Sequence, residues 1–451
     1  MSSSQTPAGV EPIFGMLPEN WTYSTLGQLV DLGSASLQTG PFGTNLLASE
    51  YKREGIPVIA VKNIGVNAIN IDDDTPRVDE KTFRRLETYR IAEGDILFGR
   101  KGAVDRRAYV NISQSGCLQG SDCIRLRLDA RSFDPKYVSY VLGTPQYLAW
   151  ITQNAGGTTM PSLNQTILRR VPLPLPPLPI QREIAHILGT LDDKIDLNRK
   201  MNATLEAMAR ALFKSWFVDF DPVRAKAEGR DPAGMDAETA ALFPDGFEDS
   251  PLGDIPRGWR VGTLGEVSEK PQYGYTASAS DSPIGPKFLR ITDINKAPWI
   301  DWQNVPYCEI ATLEMEKYRL RFGDIVIARM ADPGHGALVE EDVEAVFASY
   351  LIRFRPRRTE YARYLQYWLR SSHYWYIVDG FKTGTTRASL NAQVLSGFSL
   401  LVPDVRVAKA FDLAVGELRN KIVANNSESR TLAELRDALL PRLMRGELVG
   451  V

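Results

Sequence analysis

Apolar residues along this chain follow two rhythms that alternate twice. Short runs rich in β-branched residues, such as Pro57-Val58-Ile59-Ala60-Val61 and Lys287-Phe288-Leu289-Arg290-Ile291, predict strands. Gly94-Asp95 and Gly323-Asp324 mark turns entering two more strands, Ile96-Leu97-Phe98 and Ile325-Val326-Ile327. A short helical stretch follows each, with aromatics at Tyr137, Tyr140 and Tyr147 in one and at Tyr361, Tyr364 and Trp368 in the other. The rhythm then changes to steps of mostly three and four. Ile184, Ile187, Leu191, Ile195, Met201, Leu205, Met208 and Leu212 form the first such series. Val407, Phe411, Ala414, Leu418, Ile422, Leu432, Leu435 and Leu439 form the second. That spacing predicts two long helices with a seam of coiled-coil type.

The alternation reflects an internal repeat. Leu17–Asp31 (LPENWTYSTLGQLVD) returns as Ile255–Glu269 (IPRGWRVGTLGEVSE), with Trp21 on Trp259 and Leu26-Gly27 on Leu264-Gly265. YRIAEGDILFGRKG from Tyr89 returns as YRLRFGDIVIARMA from Tyr318, SDCIRLRL from Ser121 as SYLIRFRP from Ser349, and TTMPSLN (158–164) as TTRASLN (385–391). One fixed interval then carries Leu191, Ile195, Asn198 and Leu205 onto Leu418, Ile422, Asn425 and Leu432. Matches that keep their order while the interval drifts slowly through small insertions are a duplication. The predicted class is therefore α+β, with two duplicated mixed α/β domains at 1–177 and 257–404 and long helices at 178–219 and 405–451, the latter including a tail. Between the first helix and the second domain, residues 220–256 are rich in proline, glycine and charge and read as a surface linker.

Both helices are interrupted at the same place by polar residues, Lys194 with Asn198 and Lys421 with Asn425. A polar residue in a seam costs stability and sets register. The residues expected to pair the helices are Leu191, Ile195, Asn198 and Leu205 with Leu418, Ile422, Asn425 and Leu432. The alternative is that each helix lies on its own domain. A helix from 180 to 217 is about 57 Å long, which outruns a domain of ordinary diameter and favours pairing.

Composition narrows the function. At 451 residues, with 43% hydrophobic and 24% charged side chains, the chain is an ordinary folded protein of two or three domains. A net charge of −2 means that any nucleic-acid surface must be a local basic patch. Three cysteines (Cys117, Cys123, Cys308) and three histidines (His186, His335, His373) match no zinc or disulfide pattern, so buried thiols in a reducing cytosol and no metal site are expected. MSSSQTPAGVEPIFGM (1–16) has no signal-peptide form, and VPLPLPPLPI (171–180) is too broken by proline to span a membrane. A cytoplasmic protein without a membrane partner is expected.

No catalytic residues are expected. The chain lacks the N-P-P-[FY] or D-P-P-Y turn of amino-methyltransferases and the phosphate loop of ATPases. The acidic-x-Lys triplets Asp79-Glu80-Lys81 and Asp192-Asp193-Lys194 are short enough to arise by chance and are expected on a loop and on the solvated side of the helix.

Two repeated segments suit contact with DNA. One is the glycine-aromatic loop LQTGPFGTNL (37–46) and PQYGYTASAS (271–280), where Thr39, Phe42, Tyr273 and Tyr275 are placed to bond or stack at base edges. Read instead as a tight turn between strands, its aromatics are core. The other is GRKGAVDRR (99–107) and ARMADPGHG (328–336), where Arg100, Lys101, Arg106, Arg107 and Arg329 are expected as exposed cations suited to guanine or phosphate. A solvated charged loop is the alternative. The repeated SLN segments are expected to be scaffold, because modules that read different sequences share scaffold and differ at readers.

LGTLDDKIDLNRKMNATLEAMARALFKSWFVDFDPVRAKAEGR (188–230), both modules and the terminal LLPRLMRGEL (439–448) resemble the specificity subunits of type I restriction–modification systems. The resemblance implies two target-recognition domains and an antiparallel coiled coil of pseudo-twofold form that grips a bipartite, asymmetric double-stranded DNA target. It also implies a non-catalytic chain on which two modification subunits methylate adenine using S-adenosylmethionine, and which motor-nuclease restriction subunits join with ATP and Mg. The chain itself would hold no cofactor. A coiled-coil adaptor binding proteins only is the alternative function, and it would need neither matched modules nor basic loops.

Overall fold

The computed structural model describes residues 13, 15, 17–65, 67–157, 160–295, 299–382 and 390–447. The chain divides into two compact units, Met1–Asn198 with Asn426–Val451, and Arg199–Asn425. Each unit therefore holds one mixed α/β module and half of each long helix.

In the first unit the strands are β1 (Thr22–Thr25), β2 (Ala35–Thr39), β3 (Ile56–Ile59), β4 (Arg77–Val78), β5 (Ile96–Gly99), β6 (Arg107–Tyr109), β7 (Leu118–Gln119), β8 (Cys123–Leu128) and β9 (Pro172–Leu175). β2, β8, β5 and β6 form an antiparallel sheet in that order, β3 pairs in parallel with β7 and antiparallel with β4, and β1 pairs antiparallel with β9. The second unit holds a short hairpin of β10 (Phe247–Glu248) and β11 (Ile255–Pro256), then β12 (Arg260–Thr263), β13 (Gln272–Tyr273), β14 (Lys287–Leu289), β15 (Ile325–Ala328), β16 (Gly336–Leu338), β17 (Ala345–Phe347), β18 (Leu351–Phe354) and β19 (Ser399–Val402). Its antiparallel sheet runs β13, β18, β15, β16, its parallel pair is β14 with β17, and β12 pairs antiparallel with β19. The two units are built on one connectivity.

The repeated motifs are explained by local chemistry. Thr25 and Thr263 cap the helices Leu26–Asp31 and Leu264–Val267 by accepting from the N–H of Gln28 and Glu266. The glycine after each leucine is needed for packing. A Cβ on Gly27 would lie 2.8 Å from the Arg169 carbonyl oxygen, and one on Gly265 would lie 3.0 Å from Ser396 Cβ. Asn164 and Asn391 of the SLN segments cap the helices Gln165–Arg169 and Ala392–Ser396. Thr158, Thr159 and residues 385–389 lie outside the described residues, as do residues 448–451 and most of 1–16.

The buried Asp95 and Asp324 close the Gly-Asp turns. Asp95 accepts from the Ala92 N–H at 2.8 Å and twice from Arg127 at 2.7 Å, and Asp324 accepts from the Arg321 N–H at 2.8 Å and from Arg355 at 2.7 and 2.8 Å. The left-handed backbone at Gly94 and Gly323, φ 89° and 90°, is what the turn requires of a glycine.

The long helices are Leu178–Phe217 and Val405–Met444, 40 residues each. Within each unit their halves pack antiparallel. In the first unit Asp192 meets Arg436 and Asn198 meets Ser429, and in the second Asn202 meets Asn425 and Glu206 meets Arg419. Ile195, Ile422, Asn198 and Asn425 are buried in the seam, and Leu191, Leu205, Leu418 and Leu432 flank it half-buried. Ala414 faces outward, and so do two more expected seam positions, Met208 and Leu435, 52% and 45% exposed. The latter two are mates in the repeat. The inward turns there carry Glu206 and Ala209 beside Met208, and Ala433 and Arg436 beside Leu435, charged and small residues that the spacing of large apolar side chains cannot report. Asp192, expected on the solvated side, accepts from Tyr140 at 2.6 Å and from Arg436 at 2.7 Å.

Residues 220–256 are not a surface linker. They form helices Asp221–Ala227 and Ala237–Ala241 before the β10–β11 hairpin, and Val223, Phe243 and Ile255 are buried in the second unit's core. Trp216 stacks edge-on to Phe243 at 5.0 Å, and Phe217 lies 5.9 Å from Trp259. The apolar residues are too sparse for a periodic signal, yet Phe220, Val223, Met235, Leu242, Phe243 and Ile255 lie in or against the core.

All three cysteines are buried and free. Burial pushes the Cys123 thiol up to about 12 and the Cys308 thiol to about 11. At pH 8 the folded chain is expected to resist a thiol-disulfide reagent that titrates all three cysteines after denaturation; rapid native reaction would contradict this burial.

Candidate nucleic-acid interface

The end of β2 and the loop after β5 meet at one edge of the first unit. Thr39, the last residue of β2, is half-buried, and its hydroxyl accepts from Gln165 Nε2 at 3.1 Å. Arg100 follows β5. Its N–H donates to the Asp122 carbonyl at 2.8 Å, and its carbonyl accepts from the Leu163 N–H at 2.8 Å. Lys101 is exposed and bridges to Ser162, while the Gly102 N–H donates to the Pro161 carbonyl at 2.9 Å. Thr39, Arg100 and Lys101 are thus held around residues 161–165.

The second unit builds the same edge with different side chains. Arg329 donates its N–H to the Tyr350 carbonyl and accepts from the Leu390 N–H, both at 3.0 Å, matching Arg100 bond for bond. Tyr273 takes the place of Thr39, and its hydroxyl accepts from the Ala392 N–H at 3.0 Å. The Arg329 guanidinium lies 5.0 Å from the Tyr273 ring centroid, a cation–π contact.

The remaining candidates separate. Phe42 is 61% exposed on the turn after β2, and Arg106 is exposed in the β5–β6 loop. Tyr275 is half-buried; its N–H donates to the Phe347 carbonyl at 2.8 Å and its ring lies 5.3 Å from Tyr318. The glycines of the glycine-aromatic loop serve chain packing. A Cβ on Gly40 would lie 1.8 Å from the Gly120 carbonyl oxygen, and one on Gly274 would lie 2.3 Å from that of Ala348.

Arg107 is not an exposed cation. It pairs with Phe98 in the β5–β6 ladder, and the alternation of the strand turns it inward, where it is 6% exposed. Its Nη1 donates to Asn67 Oδ1 at 3.2 Å, and burial lowers its pKa to about 10. Gly143 makes the room, since a Cβ there would fall 1.6 Å from Nη2. In the second unit the two residue types trade places: Gly336 stands at the Arg107 position, and Arg370 stands at the Gly143 position and donates to Glu206 at 3.0 Å. Gly143→Ala is expected to cost about 1–3 kcal/mol as overpacking. Adding Arg107→Gly should recover much of it, as read from urea midpoints; no recovery would deny the contact.

Sequence reading missed Asp122 and Tyr350, whose carbonyls hold the two arginines. Tyr350 is 55% exposed beside Arg329. Their signal was available: in the turn entering a repeated strand, SDC against SYL, only the serine is kept. An open cleft of about 660 Å³ in the second unit is lined by Tyr275, Thr276, Ser278 and Ser280 of the glycine-aromatic loop together with Ile284 and Glu309. Among the described residues no helix is long and apolar enough to cross a membrane.

Residues 18–207 match the type I restriction modification DNA specificity domain. The HindI type I restriction enzyme specificity subunit of Haemophilus influenzae is 26% identical over 79% of this chain and 87% of its own length. The MjaIX specificity subunit of Methanocaldococcus jannaschii is 24% identical over 97% of this chain and 96% of its own. In fold, the crystal structure of a type I restriction-modification S subunit from M. genitalium matches 95% of this chain and 98% of its own, with a TM-score of 0.57 at 16% identity. Over nearly its whole length the chain is thus similar to specificity subunits of type I restriction–modification systems.

Proposed function

We propose that the protein is the DNA-reading subunit of a type I restriction–modification complex, each module reading one half of a bipartite, asymmetric double-stranded target. The observation that carries this is the edge built twice on one backbone pattern, with Arg100 beside Thr39 in one unit and Arg329 over Tyr273 in the other. A shared frame with different side chains at the same point is what two readers of different sequences need. Chemistry belongs to the partners: two modification subunits that methylate adenine with S-adenosylmethionine, and restriction subunits that use ATP and Mg. The chain itself is non-catalytic and works in the cytoplasm. The relatives are named as restriction enzyme specificity subunits, which supports this reading over a protein-only adaptor.

The test is a map of adenine methylation in cells expressing the chain with its modification partner. Arg100→Ala should relax one half-site and Arg329→Ala the other, each by about 1–3 kcal/mol of discrimination. Methyl transfer by the purified chain alone, or both substitutions without effect on either half-site, would overturn the proposal.

A further inference from the structure

The interval that carries Asn198 onto Asn425 also carries Asn202 onto Ser429. The hydrogen bonds of the seam obey it. Asn198 Nδ2 donates to Ser429 Oγ at 3.2 Å in the first unit, and its mate Asn425 donates to Asn202 Oδ1 at 2.9 Å in the second. Every uncharged contact of this set therefore has a counterpart, and a helix could make it with the other helix or with a copy of itself.

The charges break the equivalence. In the first unit Asp192 meets Arg436 at 2.7 Å. The mate of Asp192 is Arg419, which in the second unit meets Glu206 at 3.9 Å. The mates of Glu206 and Arg436 are Ala433 and Ala209. In these two pairs both acids lie on the first helix and both arginines on the second, with alanine at the matching places; the more exposed Lys194–Glu428 pair, 3.4 Å apart, runs the other way. We propose that this arrangement makes the first long helix pair only with the second, and rejects a second copy of either.

The consequence follows residue by residue. A first helix laid on its own copy would set Asp192 against Glu206. A second helix on its own copy would set Arg436 against Arg419, which Glu340 of its own module alone would then answer, and Arg370 would lose the carboxylate it now bonds at 3.0 Å. The side chains of Glu206 and Arg419 are 7% and 3% exposed and those of Asp192 and Arg436 22% and 28%, so water cannot screen these clashes as it does at a surface. Alanine at the mates is the economical form of such specificity, since each helix carries a repulsion only against itself. Resting on the DNA-reading role proposed above, the functional meaning is that a self-paired half would read one half-site twice, and the seam keeps the target asymmetric.

The test uses the full chain with a protease site inserted in the exposed turn between Gly229 and Gly234, cleaved after folding. The cleaved protein is held in sub-denaturing urea to allow exchange, returned to buffer, and weighed by native mass spectrometry, which separates unlike from like pairs by mass and needs no DNA. Wild type should give only unlike pairs. Asp192→Arg with Arg436→Asp keeps opposite charges across the normal seam and creates them in both self-pairs, so like pairs, absent from wild type, should become detectable beside the unlike ones that Trp216 and Phe217, packed in the second unit's core, still favour. If that variant folds poorly, Asp192→Asn with Arg436→Gln removes one member of each clash and should also yield like pairs. Like pairs in wild type at the level of the variants, or none in any variant that folds, would overturn the inference. Loss of half-site reading with these masses unchanged would count against the DNA-reading role alone.

Discussion

Replacing Asp324 with alanine is expected to unfold the second unit's module at far lower denaturant than wild type, with a loss of about 3–5 kcal/mol. The carboxylate is fully buried; it closes its own turn through the Arg321 N–H and holds Arg355 through two bonds at 2.7 and 2.8 Å. Alanine orphans that N–H and leaves the guanidinium, its side chain 22% exposed, without its counter-charge. Asp95→Ala removes the same connections from the first unit, but Arg127 there is 43% exposed and can recover water, so its loss should be the smaller. Against a typical domain stability of roughly 5–15 kcal/mol either change is severe. Urea unfolding followed by a probe in each unit should show each substitution shifting its own unit's transition. Asparagine at 324 should restore part of the loss by keeping an acceptor. Equal stability of the alanine and wild-type chains would remove Asp324 from any structural role.

Exchange of the first module is expected to change one half-site completely and leave the other untouched. The structure supplies the boundaries. β1 and β9 pair with Thr22 opposite Leu175 and Thr25 opposite Pro172, so the two ends of segment 18–175 lie side by side on one two-stranded sheet. β12 and β19 close the second module likewise, Arg260 opposite Val402. A module that leaves and returns through adjacent strands can be replaced without re-threading the helices. The donor must keep the anchors: Trp21, packed in a core with Leu440, Leu443 and Met444, and Tyr140, whose hydroxyl donates to Asp192 at 2.6 Å. Specific sites are typically bound about 10³-fold or more better than other DNA, so methylation mapping has ample range to see the old half-site vanish. A chimera in which both half-sites change would show that the modules do not read independently.

Parts of this molecule were open to sequence reading because they depend on neighbours in the chain. The LG turn, the Gly-Asp turn and the SLN segment recur because each is a local device, and the structure finds a threonine cap, a turn-closing carboxylate and an asparagine cap at them. The two long helices followed from apolar spacing. The same spacing puts Met208 and Leu435 in the seam, yet both are exposed, because Glu206 and Ala209 take the inward turn beside Met208, and Ala433 and Arg436 the one beside Leu435.

By itself the sequence determined the duplication, the alternation of mixed modules with long helices, and the family that the chain resembles. Only the tertiary structure decided which polar groups lie inside. Arg107 reads as one more cation in a basic loop, yet it is buried because Gly143, on a different element, leaves space for a guanidinium, while Gly336 and Arg370 solve the same packing from the other side. Residues 220–256 read as a linker, yet Val223 and Phe243 are core because Trp216 and Trp259 wait for them across the fold. Burial of a polar or isolated apolar side chain depends on the volume and charge that distant residues offer, and neither is carried by the periodicity of the segment itself.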